Sequence, residues 1–230
     1  ATAFHAPSSA THERSPMIHL WTALEHHLHA VTGQTFIIRQ RQPLSGGCIN
    51  QAWRISDGQR TFFVKVNAAA SLPMFEAEAA GLAELAATET VQVPEPLGHG
   101  VAAEHAWLML EYLPLVSSGT RAMEKLGRSL AALHAQPCKG FGWHRDNAIG
   151  ATLQRNAYGD DWIAFWREQR LGFQLDLAAR NGYAGPLQQQ GEQLRARLDG
   201  LFVNHSPTPA LLHGDLWRGN AGCTVEGEPV

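Results

Sequence analysis

Cysteine is scarce in this 230-residue chain: Cys48, Cys138 and Cys223 are odd in number, widely spaced and include no CxxC pair. That argues against a disulfide framework and a paired-cysteine zinc site, and it fits a reducing cytoplasm. Charge of one sign is also lacking. The 18 basic and 21 acidic residues are interspersed and leave a formal charge of -3, which gives no electrostatic footprint for nucleic acid or an anionic membrane. No apolar run approaches the roughly 18 residues that a membrane-spanning helix needs. A Walker loop with its terminal Lys and Ser or Thr, an HExxH pair and a GxSxG elbow are all missing, so three common chemistries lack their motifs. What is present is a 25.1 kDa chain with 44% hydrophobic residues, enough to fill the core of one large domain or two small lobes. Residues 1–16 are small, polar and aperiodic and read as a disordered extension.

Apolar residues at Leu20, Leu24, Leu28 and Val31 predict a first helix over 18–31. Its His26, His27 and His29 read as a solvated face and not as metal ligands, because no acid or Cys recurs beside them. A strand is expected over 36–41, then a glycine loop over 44–50 and a second strand over 52–55. Asp57-Gly58 signals a tight hairpin into a return strand over 61–66, with Phe63 and Lys65 on one face. In the helix expected over 72–87, Glu78, Leu82 and Leu85 share a side, which turns the acid inward. After a break at Val93-Pro94-Glu95-Pro96 comes a loop around Gly98 and Gly100, then an apolar strand over 107–112. Helices follow: one marked by Met123, Leu126, Leu130 and Leu133, one over 162–179, and one over 186–202 with Gln188-Gln189-Gln190 on an exposed face. The composition shift near residue 113 predicts an α+β chain of two lobes, a small antiparallel-sheet lobe over 17–112 and a mainly helical lobe over 113–230.

The segment His213-Gly214-Asp215-Leu216-Trp217-Arg218-Gly219-Asn220 has the carboxylate and carboxamide spacing of a kinase catalytic loop. In that chemistry the Asp orients and deprotonates an attacking hydroxyl, and the Asn gives an oxygen to magnesium on the nucleotide phosphates. Upstream lie the other parts in the expected order: Gly46-Gly47, where the backbone can approach phosphate closely; Lys65 to neutralise phosphate charge; and Glu78 to hold Lys65. Glu111, Tyr112 and Leu113 would present backbone groups to an adenine ring. Each feature also has an ordinary structural explanation, as a turn, an edge lysine, a helix-surface acid or a strand end. Their joint order favours phosphoryl transfer.

Together with Ser45-Gly46-Gly47-Cys48-Ile49-Asn50, Val64-Lys65-Val66-Asn67, Phe75-Glu76-Ala77-Glu78, Phe141-Gly142-Trp143, Asp146-Asn147-Ala148-Ile149-Gly150, and Trp162 with Phe165, Gln169 and Arg170, this loop resembles the fructosamine kinase family. The resemblance runs from about Leu20 to the last residue. That family is related to the aminoglycoside phosphotransferases and has a protein-kinase-like two-lobe fold. The resemblance implies ATP-dependent phosphorylation of a ketosamine, free or on a protein, at its third-carbon hydroxyl, after which the adduct falls apart and frees the amine. It implies Asp215 as catalytic base, Asn220 as a Mg2+ ligand, Gly46, Gly47, Lys65 and Glu78 at the phosphates, and Glu111 to Leu113 at the adenine. Trp143, Asn147, Arg170 and Trp217 would line the sugar pocket. It further implies that Cys48 responds to oxidation, so that either a monomer or a redox-linked dimer is compatible. The family carries a second metal-binding acid in an Asp-Pro-Ala segment after the catalytic loop. Here Cys223-Thr224-Val225 opens a hairpin, Glu226-Gly227-Glu228 turns it, and Pro229-Val230 are last. The expectation is therefore a fragment of a longer kinase, truncated at its C-terminus, with little or no activity as it stands and with apolar lobe surface exposed. The competing expectations are a noncatalytic nucleotide-binding module and a kinase acting on an aminoglycoside-type acceptor.

Overall fold

The computed structural model describes residues 14–45, 49–117 and 119–230. They group into two compact units, one made of residues up to 83 together with 93–115, the other of 84–92 together with 116–230. In the first unit a five-stranded antiparallel sheet has the order β1-β2-β3-β5-β4. Its strands are β1 (Gln40–Leu44), β2 (Gln51–Ser56), β3 (Thr61–Ala68), β4 (Pro96–Ala102) and β5 (His105–Glu111). Alternation along β3 sends Val64 and Val66 to one face, where Leu20, Trp21, Leu24 and Leu28 of helix α1 (Arg14–Thr32) pack on them with Phe36, Ile55, Trp107 and Met109. Phe63 goes to the other face, where Phe75 and Ala79 of helix α2 (Leu72–Ala87) pack against Ala106, Leu108 and Leu110. Strand β5 is thus buried on both faces and reads as a continuous apolar run.

Several boundaries differ from the sequence expectation, each for a physical reason. Helix α1 begins at Arg14, inside the stretch expected to be disordered; Pro16 lies in its first turn, where a missing N–H costs nothing. Strand β1 starts at Gln40, not at 36, because Phe36 is buried in the core and the Ile38 amide donates to Glu25 Oε1 of α1 at 2.7 Å. The strand then runs through Pro43, which an edge strand tolerates. Strand β4 was expected to be a loop. Its glycines are there for close approach: a Cβ on Gly98 would lie 2.2 Å from His27 Nε2, and one on Gly100 would lie 3.0 Å from the Trp107 ring. His27 is accordingly not a solvated residue. Its Nε2 bonds the Leu97 carbonyl at 2.9 Å and its ring meets Trp107 edge-on at 4.8 Å, while His26 and His29 are exposed as expected.

The Asp57-Gly58 hairpin forms as expected, with Gly58 at φ 101°. The amides of Arg60 and Gln59 donate to Asp57 Oδ1, and the Arg60 guanidinium closes on Oδ2 at 2.8 Å. The Arg60 amide foremost, then the Gln59 amide and the Arg60 guanidinium, lower the Asp57 pKa from 3.8 to about 2 against an opposing cost of burial. A depressed carboxylate pKa contributes stability that is complete above the unfolded value and is lost as pH falls through the folded one. Asp57→Ala should therefore cost about 1–2 kcal/mol near pH 7. Thermal melts of the two proteins should converge as pH drops from about 5 toward 2; a difference that stays constant over that range would refute the assignment.

The second unit is mainly helical, with α3 (Thr120–His134), α4 (Trp162–Phe165), a π-helical stretch (Trp166–Gly172), α5 (Phe173–Arg180) and α6 (Pro186–Leu201). The buried stripe of α3 is Ala122, Leu126 and Leu133, whereas Met123, one of the residues that marked the helix, is 49% exposed. Gln188, expected on an open face, donates through Nε2 to the Leu175 and Tyr183 carbonyls at 3.1 and 2.9 Å and ties α6 to the first turn of α5 and to the connection between them. The π-helical stretch has no counterpart in the sequence reading. A Cβ on Gly172 would stand 2.8 Å from the Arg167 carbonyl and 3.2 Å from the Arg195 guanidinium, so glycine admits the wide turn. A short hairpin of β6 (Asn147–Ile149) and β7 (Thr152–Gln154) was also missed. At the end of the chain, Thr224 and Glu228 close the expected hairpin with a 2.8 Å bond, and Gly222 pairs with Val230. The exposed apolar side chains of this unit include Leu201, Val203, Leu212 and Val225.

Candidate active site

In the first unit, Lys65 projects from the central part of β3 and its Nζ donates to Glu78 Oε1 of α2 at 2.5 Å. The inward turn of Glu78 is thus as expected. The two side chains are 29% and 28% exposed, so the ammonium keeps an accessible side from which to meet a phosphate. At the end of β5 the Glu111 amide is used by the Glu95 carbonyl at 2.8 Å, and its Oε2 accepts from the Glu95 amide. The Tyr112 ring lies under the Arg54 guanidinium at 5.3 Å. Among the described residues the backbones of Tyr112 and Leu113 make no backbone hydrogen bond outside the helices and strands. Gly46, Gly47 and Cys48 lie outside the described residues.

In the second unit, Gly214 at φ 85° bends the chain into the loop. Both amide hydrogens of Asn220 go to Asp215: Nδ2 donates to the carbonyl at 2.9 Å and to Oδ2 at 2.8 Å. The Asn220 amide also closes a turn on the Trp217 carbonyl at 2.8 Å. This leaves Asn220 Oδ1 and Asp215 Oδ1 without a hydrogen bond among the described residues. The carboxamide oxygen suits a hard cation, and the free carboxylate oxygen suits acceptance of a proton. No group of three His, Cys, Asp or Glu side chains among the described residues is placed to hold a metal; Asn220 is the residue expected to meet a cation. Trp217 is 59% exposed, and its ring folds over Gly219, where a Cβ would lie 2.2 Å from it.

Three of the four expected sugar-pocket residues sit on one polar cluster of this unit. Trp143 donates its indole N–H to Glu84 Oε2 and its amide to the Asn156 carbonyl at 2.8 Å. Gly142 at φ 125° permits this close pairing, since a Cβ would stand 2.6 Å from that same carbonyl. Arg170, carried by the π-helical stretch, donates to the Arg155 carbonyl and, at 2.8 Å, to Asn156 Oδ1, and lies 4.6 Å over the Phe165 ring. Burial lowers its pKa from the ordinary guanidinium value, and the Asp146 charge acts in the opposite direction. Asn156 Nδ2 in turn reaches Asn147 Oδ1 at 2.8 Å. Asn156 is 3% exposed and was missed by sequence reasoning. Recognising the hairpin around Gly150-Ala151 would have placed Gln154 opposite Asn147 and Asn156 beside it. No bond or ring contact among the described residues ties Trp217 to this cluster.

The fold and these side-chain groupings can be set against known proteins. An aminoglycoside phosphotransferase crystal structure superposes with a TM-score of 0.56 over 90% of this chain and 69% of its own, at 16% identity, a likeness of fold alone. The architecture is thus α+β and protein-kinase-like. A structure from Haemophilus somnus described as a candidate fructosamine-3-kinase gives 0.84 at 27% identity, covering 93% of this chain and 72% of that one. The fructosamine kinase family model matches residues 20–230. A Synechocystis protein described as a "probable ketoamine kinase" is 44% identical over 211 residues, 91% of this chain and 70% of that protein. The chloroplastic protein-ribulosamine 3-kinase of Arabidopsis thaliana is 40% identical over 81% of this chain and 58% of its own length. This chain belongs to the fructosamine kinase family. No helix among the described residues is long and apolar enough to cross a membrane.

Proposed function

We propose that the chain is a ketosamine kinase that transfers the γ-phosphoryl group of ATP to the third-carbon hydroxyl of a fructosamine- or ribulosamine-type adduct. The observation that carries this reading is the braced Asp215–Asn220 loop in a member of the fructosamine kinase family. The units around β1–β5 and α3–α6 are read as N-lobe and C-lobe, with the boundary near residue 113. The hydroxyl oxygen forms the new bond to phosphorus as the bond to the leaving ADP oxygen breaks, and the hydroxyl proton passes to Asp215 Oδ1, the carboxylate oxygen that Asn220 does not use. Asn220 fixes the orientation of that carboxylate, and its Oδ1 would be a ligand for a bound cation. Lys65, held by Glu78, binds phosphate oxygens, and Gly46-Gly47 lets backbone amides approach them. The backbone at Glu111 to Leu113 orients adenine. Magnesium, when bound, offsets negative charge on the phosphates.

The test is ADP release from ATP and magnesium with fructose and ribulose adducts of a small amine, and separately with aminoglycosides. It is run on this chain and on one lengthened to match the relatives it covers to 70–72%. Ketosamine-dependent release without aminoglycoside-dependent release is expected. ATP binding with no release on any ketosamine at either length would overturn the acceptor assignment and favour a noncatalytic nucleotide-binding module.

A further inference from the structure

Asn147 and Gln154 face each other across the β6–β7 hairpin, where a direct cross-strand pair brings side chains into reach. Gln154 Nε2 donates to Asn147 Oδ1 at 3.0 Å, and Asn156 Nδ2 donates to the same oxygen at 2.8 Å. Two incoming N–H groups fix which end of the Asn147 amide is oxygen and fill both of its lone pairs. Among the described residues, no acceptor meets Asn147 Nδ2. The half-buried amide therefore presents donors only.

Asn156 is itself locked. Its Oδ1 accepts from Arg170, its Nδ2 also reaches the Arg145 carbonyl at 3.2 Å, and its amide donates to Asp146 Oδ1 at 2.8 Å. A flip of the Asn156 amide would set its NH2 group against the Arg170 guanidinium and its oxygen against two other oxygens. With its side-chain oxygen, side-chain nitrogen and backbone groups all partnered, the buried Asn156 has one arrangement. The π-helical stretch delivers Arg170 to this position, so the helix reports through Arg170 and Asn156 on the orientation of Asn147.

We infer that Gln154 and Asn156 are positioning residues that set Asn147 as a hydrogen-bond donor to a hydroxyl or ring oxygen of the sugar portion of the acceptor. The inference rests on the reading of the chain as a ketosamine kinase with Asn147 at the sugar. A ligand oxygen there finds two preoriented N–H groups, and a ligand donor finds none.

Calorimetric titration of this chain with the fructose adduct of a small amine, and separately with ATP, tests it. Gln154→Leu should weaken ketosamine binding about three- to tenfold, the loss expected for one misaligned neutral hydrogen bond, with ATP affinity and Tm unchanged. Asn147→Asp, which replaces the donor by an acceptor of the same shape, should weaken it at least as much as Asn147→Ala. In the Asn147→Ala background Gln154→Leu should have no further effect, because Gln154 acts through Asn147. Asn156→Ala should behave like Gln154→Leu if it folds; the variant at the half-buried Gln154 carries the test if it does not. Wild-type binding that Gln154→Leu leaves intact, or an undiminished Gln154→Leu effect without Asn147, overturns the inference alone. A wild-type chain that binds ATP and no ketosamine overturns the parent reading and this inference with it.

Discussion

Asp215→Asn is expected to slow phosphoryl transfer to a ketosamine by about a thousandfold while leaving Tm and ATP affinity near wild type. Asn220 Nδ2 donates to Asp215 Oδ2 at 2.8 Å and to the Asp215 carbonyl at 2.9 Å. An Asn at 215 can keep both bonds by turning its amide oxygen toward Asn220, so the loop retains its shape. Its NH2 group then replaces Oδ1, and an amide nitrogen at that place can neither accept the hydroxyl proton nor align the hydroxyl by accepting its hydrogen bond. The loss, about 4 kcal/mol of barrier, therefore isolates proton acceptance from loop geometry. Asp215→Ala removes the brace as well and should also disturb the cation, which a magnesium titration of the two variants would separate. Near wild-type turnover in Asp215→Asn would dismiss Asp215 as the base and with it the proposed role of the loop.

The parts legible in the sequence are those fixed by periodicity. Alternation along β3 assigned Lys65 and Phe63 to one face, and the 3.6-residue period of α2 turned Glu78 inward. The pair then follows from two independent local rules, and the structure joins it at 2.5 Å. The illegible parts depend on partners distant in sequence. Gly98 and Gly100 look like a loop until His27 and Trp107 are found occupying the space a Cβ would need. His27 looks solvated on its own helix because the Leu97 carbonyl it bonds is 70 residues away. No residue pattern distinguishes an i+5 from an i+4 turn over 166–172, so the delivery of Arg170 to Asn156 was hidden. Asn156 carries no periodic signal at all; its burial is intelligible only from five polar partners converging from 143–147 and from Arg170.

Lys65→Met should lower kcat/KM for ATP by about 10²–10³, the scale observed when one preorganised donor to developing negative charge is removed. Methionine keeps the length of the apolar stem on the Phe63 face of β3, opposite Val64 and Val66, so the sheet should be undisturbed and Tm should change little. The pair with Glu78 contributes little to stability in any case, because both side chains are nearly one-third exposed and such pairs are worth about 0–1 kcal/mol. Its value lies in direction: Glu78 Oε1 takes one ammonium hydrogen and leaves the others for phosphate. Glu78→Gln preserves an acceptor but loses the charge, so a smaller deficit of about tenfold is expected, as for a weakened charge-assisted bond. Since Glu78 acts only through Lys65, the double variant should be no worse than Lys65→Met alone. Additive losses would mean that Glu78 touches the nucleotide or the fold independently, and intact turnover in Lys65→Met would mean that phosphate charge is met by some other group.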